Sequence, residues 1–359
     1  MKIIIDSQIF SVQEHGGVSR LFAELQNNLK KINVDCDIPL VFCNNAYINE
    51  KKSKSFFKEI SFPGKLTLIR LINKANNIWY LKNEDFDVFQ PTYFDDYFLK
   101  YLNGKPYVLT IYDLIHEKYY SDSPRLQSTL RGKKNLIQNA NRIIAISGKT
   151  KSELVDYYKI NPNKVEVIYP ANSLDLSKIQ KCKVPNKYIL FVGSRGEYKN
   201  FDVVLRSLNK IDDQTYLACA GGGNFNSDEL SKIEKYGISK RVVQINVNDR
   251  ELAYCYKNAL CFVFSSLYEG FGIPILEAFS CSCPAILSDI EVFREVAGNA
   301  AKYFNPKSAN SLSTAVNSVI NNGNFRNRLI DLGNKRLKLY SWSKMAKETL
   351  EVYESVIKK

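Results

Sequence analysis

Residues 259–289 read ALCFVFSSLYEGFGIPILEAFSCSCPAILSD. The run 259–265 is almost wholly apolar, β-branched or aromatic, which predicts a buried strand, and PAILSD (284–289) predicts another. Between them Pro274 opens a helix that reaches Ser280. Proline suits a first helical turn, where its missing N–H costs nothing. The loop YEGFG joins strand to helix, and its two glycines let backbone amides approach a ligand closely.

The same alternation extends outward from this stretch. KYILFVG (187–193), TYLACAGGG (215–223) and RVVQIN (241–246) read as buried strands, with helices from Asn200 and over Asp249 to Asn258. Toward the N-terminus, strands are expected at Lys2 to Ile5, Ile38 to Phe42, Val88 to Gln90, Tyr107 to Ile111, Arg142 to Ile146 and Val165 to Ile168. Val18 to Lys31 has helical spacing, with Leu21, Phe22, Leu25 and Leu29 on one face. Near-continuous apolar strands alternating with helices imply parallel sheets covered on both faces. The expected fold class is α/β, with two facing Rossmann-like domains. The expected boundaries are an N-terminal domain over 1–172, a polar, Lys-rich linker over 173–186, a C-terminal domain over 187–340, and a final amphipathic helix over 341–359 crossing back to the first domain.

Composition bounds the chemistry. The chain has 359 residues, 45% of them hydrophobic, and 50 basic against 37 acidic residues, a formal charge of +13. Two globular domains fit that length, and disorder does not fit the composition. No apolar run approaches the ~20 residues that span a bilayer, and Asp6 follows MKIII too early for a signal peptide. Most of the eight cysteines lie in apolar runs and read as small buried hydrophobes rather than disulfides. Cys281-Ser-Cys283 lacks the second pair of a zinc site, and His15 and His116 are the only histidines, so no metal is expected. Asp35-Cys-Asp37 and Asp85-Phe-Asp87 read as turn residues ahead of strands.

Ligands of open parallel sheets bind beyond the carboxyl ends of strands, which singles out four loops. SRGEYKN (194–200) follows Gly193 and sets Arg195 and Lys199 before a helix start, where free amides favour an anion. An ordinary solvated turn is equally open for it. In 265–289, Glu269 lies in the glycine loop and Glu277 one turn into the helix, where carboxylates can accept bonds from sugar hydroxyls. EHGGVSR (14–20) puts Gly16-Gly17 before the first helix, a weak anion signal, and Arg20 reads as a surface or packing arginine. TIYDLIHEKYY (110–120) carries Tyr112, Asp113, His116 and Glu117 past a strand end. Asp113 and His116 could orient or deprotonate an acceptor hydroxyl; a helix cap and a structural histidine are the simpler reading.

Together these loops resemble family-4 retaining glycosyltransferases of the GT-B fold, of the bacterial surface-glycan, mannosyltransferase-like type. YEGFGIPILEAFSCSCPAILSD carries the family's E-x7-E pair as Glu269 and Glu277. SDIEVFREVAGNAAKYFNP (288–306), FVGSRGEYKNF (191–201), NDRELAYCYKNALCFVFSS (248–266), DSQIFSVQEHGGVSRLFAEL (6–25) and AISGKTKSELVDYY (145–158) are also family-like, and 44–85 is much less so. The resemblance implies a nucleotide-diphosphate sugar in the C-terminal domain. Arg195 and Lys199 would hold its diphosphate after Gly193, and Glu277 its ribose. Glu269, Gly270, Phe271, Gly272 and Ile273 would meet the donor sugar and its phosphate, and Gly17 would let the N-terminal loop close on that phosphate. Glu269, Lys199, Arg195, Asp113 and His116 are the expected catalytic residues, and Tyr112, Asp113 and His116 the acceptor-side candidates. Many members have His-Asp where this chain has Tyr112-Asp113. No cofactor is expected. The donor expectation is GDP-mannose, then a UDP-sugar, and the acceptor a lipid-carrier-linked glycan. The expected location is cytoplasmic, peripheral on the inner face of the bacterial plasma membrane.

Other classes are weaker. No G-x-G-x-x-G follows the first strand, which disfavours an oxidoreductase, and the Glu269–Glu277 region argues for transfer over a sugar-nucleotide epimerase. Residues 123–152 hold seven basic and no acidic side chains, yet no nucleic-acid-binding motif accompanies them, so no nucleic-acid partner is expected. Residues 1–172 carry 24 basic and 18 acidic side chains (+6) and the rest 26 and 19 (+7), so the charge is spread. Lys51, Lys52, Lys54, Lys58, Lys65, Arg70 and Lys74 interleave with Phe56, Phe57, Phe62, Leu66, Leu68 and Ile69, a pattern suited to an anionic membrane surface or to a solvated face over core residues.

Overall fold

The computed structural model describes residues 1–43, 45–48 and 62–357. The chain forms two units, Met1–Pro170 with Ser341–Lys359, and Ala171–Tyr340.

In chain order the first unit contains β1 (Lys2–Ile5), α1 (Gly17–Lys31), β2 (Asp35–Asp37), α2 (Lys65–Asn83), β3 (Val88–Gln90), β4 (Val108–Ile111), α3 (Ile115–Tyr119), α4 (Gln127–Asn139), β5 (Arg142–Ala145), α5 (Gly148–Tyr158) and β6 (Val165–Val167). The second contains β7 (Tyr188–Val192), α6 (Phe201–Leu208), β8 (Tyr216–Ala220), α7 (Ser227–Lys235), β9 (Val242–Ile245), α8 (Asp249–Asn258), β10 (Cys261–Phe264), α9 (Ile273–Ser280), β11 (Ala285–Ser288), α10 (Glu291–Ala297), β12 (Ala301–Phe304), α11 (Ala309–Ile320) and α12 (Gly323–Leu337). The last helix, α13 (Trp342–Ile357), belongs to the first unit, where it packs on α1, β3 and β5.

Among the described residues every strand pair is parallel. In the first unit the strands run β2-β1-β3 and β4-β5-β6, joined by the bridge of Phe89 with Tyr107. The expected apolar face of α1 (Leu21, Phe22, Leu25, Leu29) is buried. In the second unit the order β9-β8-β7-β10-β11-β12 reverses direction between β7 and β10. That is the doubly wound arrangement, and its reversal point opens a crevice at the carboxyl ends of the two strands. The corresponding reversal in the first unit lies between β1 and β3.

Several expectations are corrected. No strand forms at Ile38–Phe42: the amides of Val41 and Phe42 donate to the Asn73 side chain instead of a ladder, at 3.0 and 3.2 Å. The strand is Asp35–Asp37, with Cys36 turned inward and Asp35 exposed, so this Asp-x-Asp is an edge strand rather than a turn. Residues 173–186 are part of the second unit rather than a free linker, because Gln180 N donates to Arg250 O at 3.2 Å and the Cys182 sulfur lies 3.5 Å from that of Cys255 on α8. The helix α2 and the strand β12 have no counterpart in the sequence reading. In α2 the apolar residues Leu66, Leu68, Leu71 and Trp79 are exposed while Asn73 and Asn77 are buried, which inverts the pattern that reveals a helix. Lys51, Lys52, Lys54, Phe56, Phe57 and Lys58 of the basic, aromatic stretch lie outside the described residues.

Candidate active site

At the reversal point of the second unit two loops are stapled together. Leu267 N donates to Tyr198 O at 2.7 Å, and Ser265 Oγ to Lys199 O at 2.8 Å. This brings the loop after β7 against the loop after β10. Lys199 Nζ then lies 2.5 Å from Glu269 Oε1, which also accepts from Ser266 Oγ at 2.7 Å. The Lys199 and Glu269 side chains are 16% and 11% exposed, shielded but open to solvent. The ammonium also sits 5.5 Å from the centre of the Phe264 ring. Partner and ring together limit the freedom of the ammonium.

The glycine loop leads directly into α9. Gly272 has φ +110°, and a β-carbon there would meet Ile275 Cδ1 at 3.0 Å and the Phe293 ring at 3.2 Å. Conformation and space both demand glycine. Phe271 is buried with its ring 5.7 Å from that of Tyr340, and Gly270 precedes it. Ile273 and Pro274 start the helix. Glu277, one turn on, is buried and accepts from Tyr256 Oη at 3.1 Å. Burial first, then the Glu277 carboxylate, hold the Tyr256 phenol well above its ordinary value, so it stays a donor. Gly193, at the end of β7, has φ +117°.

Arg195 is placed otherwise than expected. Its side chain is 2% exposed, and its guanidinium is spent on the protein. Nε donates to Glu229 Oε1 at 2.8 Å, Nη1 to Gly221 O at 2.9 Å and Gln244 Oε1 at 3.1 Å, and Nη2 to Gly223 O at 2.9 Å and Asn224 O at 3.1 Å. Gly221, Gly222 and Gly223 all have positive φ (+80°, +72°, +71°), so their carbonyls turn onto one cation. Arg195 thus organises the turn after β8 and presents no N–H to a diphosphate.

In the first unit, Gly17 is the first residue of α1. Arg20 is buried, with its guanidinium 4.6 Å from the Tyr47 ring, the packing role expected. Tyr112 turns inward. It is buried between Phe22 and Phe94, its hydroxyl donates to Thr92 O at 3.0 Å, and burial keeps its phenol far above the ordinary range. It is a packing residue rather than an acceptor-side group. Asp113 Oδ1 accepts from Ile115 N at 3.0 Å, a local cap, while its carbonyl accepts from Lys133 Nζ at 2.8 Å. His116, on α3, is half-buried, and burial lowers its pKa despite Asp113, so the imidazole is neutral near pH 7.

Beneath this loop Glu117 meets a lysine not singled out from sequence. Lys133 and Glu117 form an ion pair at 2.7 Å with both side chains 1% exposed, and Tyr158 Oη donates to Glu117 at 2.6 Å. The signal for it was a lysine on the inward face of α4, beside the buried Leu136 and Ile137. At the reversal point of the same unit a cavity of about 680 Å³ is lined by Gln8, Tyr93, Asp95, Arg70, Lys74 and Arg131, among others. Among the described residues no cluster of three or more His, Cys, Asp or Glu could hold a metal ion.

Two units, each a doubly wound parallel sheet, have the architecture of the GT-B class. The comparisons agree. The model described as glycosyltransferase family 4 matches residues 15–176, and that of glycosyl transferases group 1 matches 172–336. The chain belongs to the family-4 glycosyltransferases of the GT-B fold. It is 29% identical over 214 residues (59% of this chain, 60% of the other) to the O-antigen chain mannosyltransferase RfbU of Salmonella typhimurium. It is 25% identical over 234 residues (61% of each) to the O-antigen chain mannosyltransferase B of Escherichia coli. The chain thus spans about 60% of the length of these relatives. Among solved structures, the sucrose-phosphate synthase of Thermosynechococcus elongatus superposes with TM-score 0.78 at 18% identity, covering 99% of both chains. Anabaena HepE in complex with UDP and glucose superposes with TM-score 0.73 at 15% identity, covering 99% of this chain and 100% of the other.

Proposed function

We propose that this chain is a metal-independent retaining glycosyltransferase that moves a hexose from a nucleotide-diphosphate sugar to a hydroxyl of a growing glycan. The observation that carries the reading is the Lys199–Glu269 pair at the reversal point of the second sheet, 2.5 Å apart. In this reading Lys199 meets the diphosphate, whose negative charge grows as the bond from the sugar's anomeric carbon to the phosphate oxygen breaks. A fixed cation aimed at that charge stabilises the transition state more than the ground state. Glu269 orients the ammonium and accepts from donor-sugar hydroxyls, and Glu277 accepts from the ribose. The electron pair of the breaking bond leaves with the diphosphate. The acceptor oxygen bonds the anomeric carbon on the same face, and its proton passes to a departing phosphate oxygen, so no protein nucleophile is needed. No cofactor takes part.

GDP-mannose is the favoured donor, because several relatives are named as mannosyltransferases. UDP-sugars stand next, since HepE carries UDP. The acceptor is assigned to the cavity near Tyr93, Asp95 and Arg131, as a lipid-carrier-linked glycan at the cytoplasmic face of the membrane.

The test is a thermal-shift panel with GDP, UDP, ADP and dTDP, followed by transfer of labelled mannose from GDP-mannose to a lipid-linked glycan. A nucleotide at about 100 times its Kd stabilises by roughly 2.7 kcal/mol, and GDP is expected to shift most. Glu269→Gln and Lys199→Met are each expected to lose about 100-fold or more in turnover while still folding. Near-wild-type transfer in both variants sinks the site assignment.

A further inference from the structure

A ladder of aromatic rings lies under the site of the second unit. Tyr256 on α8 meets Phe262 with ring centres 5.4 Å apart, Phe262 meets Phe264 at 5.5 Å along β10, and Phe264 stacks on Phe293 at 4.7 Å. Three groups of the site rest on it. The Lys199 ammonium lies 5.5 Å from the Phe264 ring centre. Gly272 sits so close that a β-carbon would meet the Phe293 and Phe264 rings at 3.2 and 3.4 Å. At the far end the Tyr256 hydroxyl donates to Glu277 Oε2 at 3.1 Å. Tyr256 is fully buried and Glu277 is 6% exposed. The phenol stays protonated, since burial first and then the carboxylate hold its pKa well above the ordinary value.

We propose that Tyr256 is a positioning residue for Glu277, and through it sets the preference of the donor site for a ribose over a deoxyribose nucleoside diphosphate. A glutamate side chain that turns freely must give up that freedom to hold a ligand, and the ligand binds more weakly for it. The Tyr256 hydroxyl takes up the freedom in advance through a charge-assisted bond to Oε2. Its own ring is fixed by Phe262 and by burial, so the carboxylate is oriented against a rigid point. A carboxylate offers about four acceptor positions, so the one given to Tyr256 leaves capacity for ribose hydroxyls. A nucleotide lacking those hydroxyls leaves that capacity of a buried carboxylate unmet, which is how a site built for a hydroxyl rejects the analogue without it. The inference rests on the reading of Glu277 as the ribose carboxylate.

The test compares the affinity of the full chain for GDP with that for 2′,3′-dideoxy-GDP, and for UDP with its dideoxy counterpart, by titration calorimetry. Wild type is expected to favour the ribose form roughly tenfold or more. Tyr256→Phe removes one hydroxyl and keeps the ring. It is expected to shrink that preference to about threefold or less, with dideoxy affinity and far-UV circular dichroism unchanged. In turnover, KM for the nucleotide sugar is expected to rise while kcat holds. In a Glu277→Ala background Tyr256→Phe is expected to change the ratio no further, because it acts only through that carboxylate. Should Tyr256→Phe not fold, Phe262→Leu carries the same test by loosening the ring. A wild-type preference in the variant overturns the proposal, and so does an equal loss of both affinities, the mark of a merely structural residue. Failure of the underlying reading shows differently: wild type then binds no nucleotide, or binds ribose and dideoxy forms alike.

Discussion

Asp6 shows how much one side chain at a strand end can carry. It follows β1 directly, is fully buried, and takes bonds on Oδ1 from Tyr97 Oη at 2.8 Å and Asn77 Nδ2 at 3.0 Å. Its Oδ2 and the Asn77 Oδ1 are buried with no partner. A proton on Asp6 would turn one of these orphan acceptors into a donor, and burial pushes its pKa up to about 7. The unfolded carboxyl titrates at about 3.9. Between those values the folded chain holds a proton that the unfolded chain has lost. This contribution to stability is therefore complete below about pH 4, falls as pH rises, and levels off above about pH 7. Asp6→Asn is expected to remove that slope relative to wild type, read by urea unfolding at about pH 5 and about pH 7.5. Tryptophan fluorescence reports this unit alone, because Trp79 and Trp342 both belong to it.

At the scale of an element, the turn after β8 depends on Arg195. Glu229 ties two structures together: Oε1 accepts from Arg195 Nε at 2.8 Å, and Oε2 accepts from Asn226 N at 2.8 Å in the capping box of α7. Arg195→Met would leave that nearly buried carboxylate without its cation and take a donor from the carbonyls of Gly222, Gly223 and Asn224. Breaking one half of a buried pair costs about 3 kcal/mol or more. The expected outcome is a lowered transition for the second unit in far-UV circular dichroism, and a Lys199–Glu269 site that keeps measurable nucleotide affinity. Arg195→Lys is expected to be intermediate, since one ammonium cannot serve a fork of acceptors. Loss of nucleotide binding without loss of stability in Arg195→Met would restore the diphosphate role and refute the clamp.

For the whole molecule, closure of the first unit depends on residues from the far end of the chain. Tyr353 on α13 is buried and donates to Gln90 Oε1 on β3 at 3.0 Å, across 263 positions of sequence. Trp342, Met345, Ala346, Thr349 and Val352 bury the same helix. Tyr353→Phe is expected to destabilise the first unit by about 1–3 kcal/mol, because the Gln90 acceptor is left buried and unpaired. Tryptophan fluorescence in urea is expected to show an earlier midpoint while the second unit's transition holds. An unchanged fluorescence midpoint would mean that this long-range bond contributes nothing.

The sequence by itself determined the parallel α/β class, most strands and the α1 face. Those features rest on short-range periodicity and on where glycine and proline can sit. The pairing of Lys199 with Glu269 was legible only as two separate loops; the neighbouring carboxyl ends of β7 and β10 bring them within 2.5 Å. Side-chain direction was not legible. Arg195 and Tyr112 stand in loops past strand carboxyl ends yet turn inward, because carbonyl acceptors at Gly221, Gly223 and Thr92 await them. The polarity of α2 was hidden for the same reason: only the tertiary structure supplies the partners that make Asn73 and Asn77 core residues and leave Leu71 and Trp79 outside. Periodicity reports which residues share a face, while the hydrogen-bond partners waiting across the fold decide which face goes in.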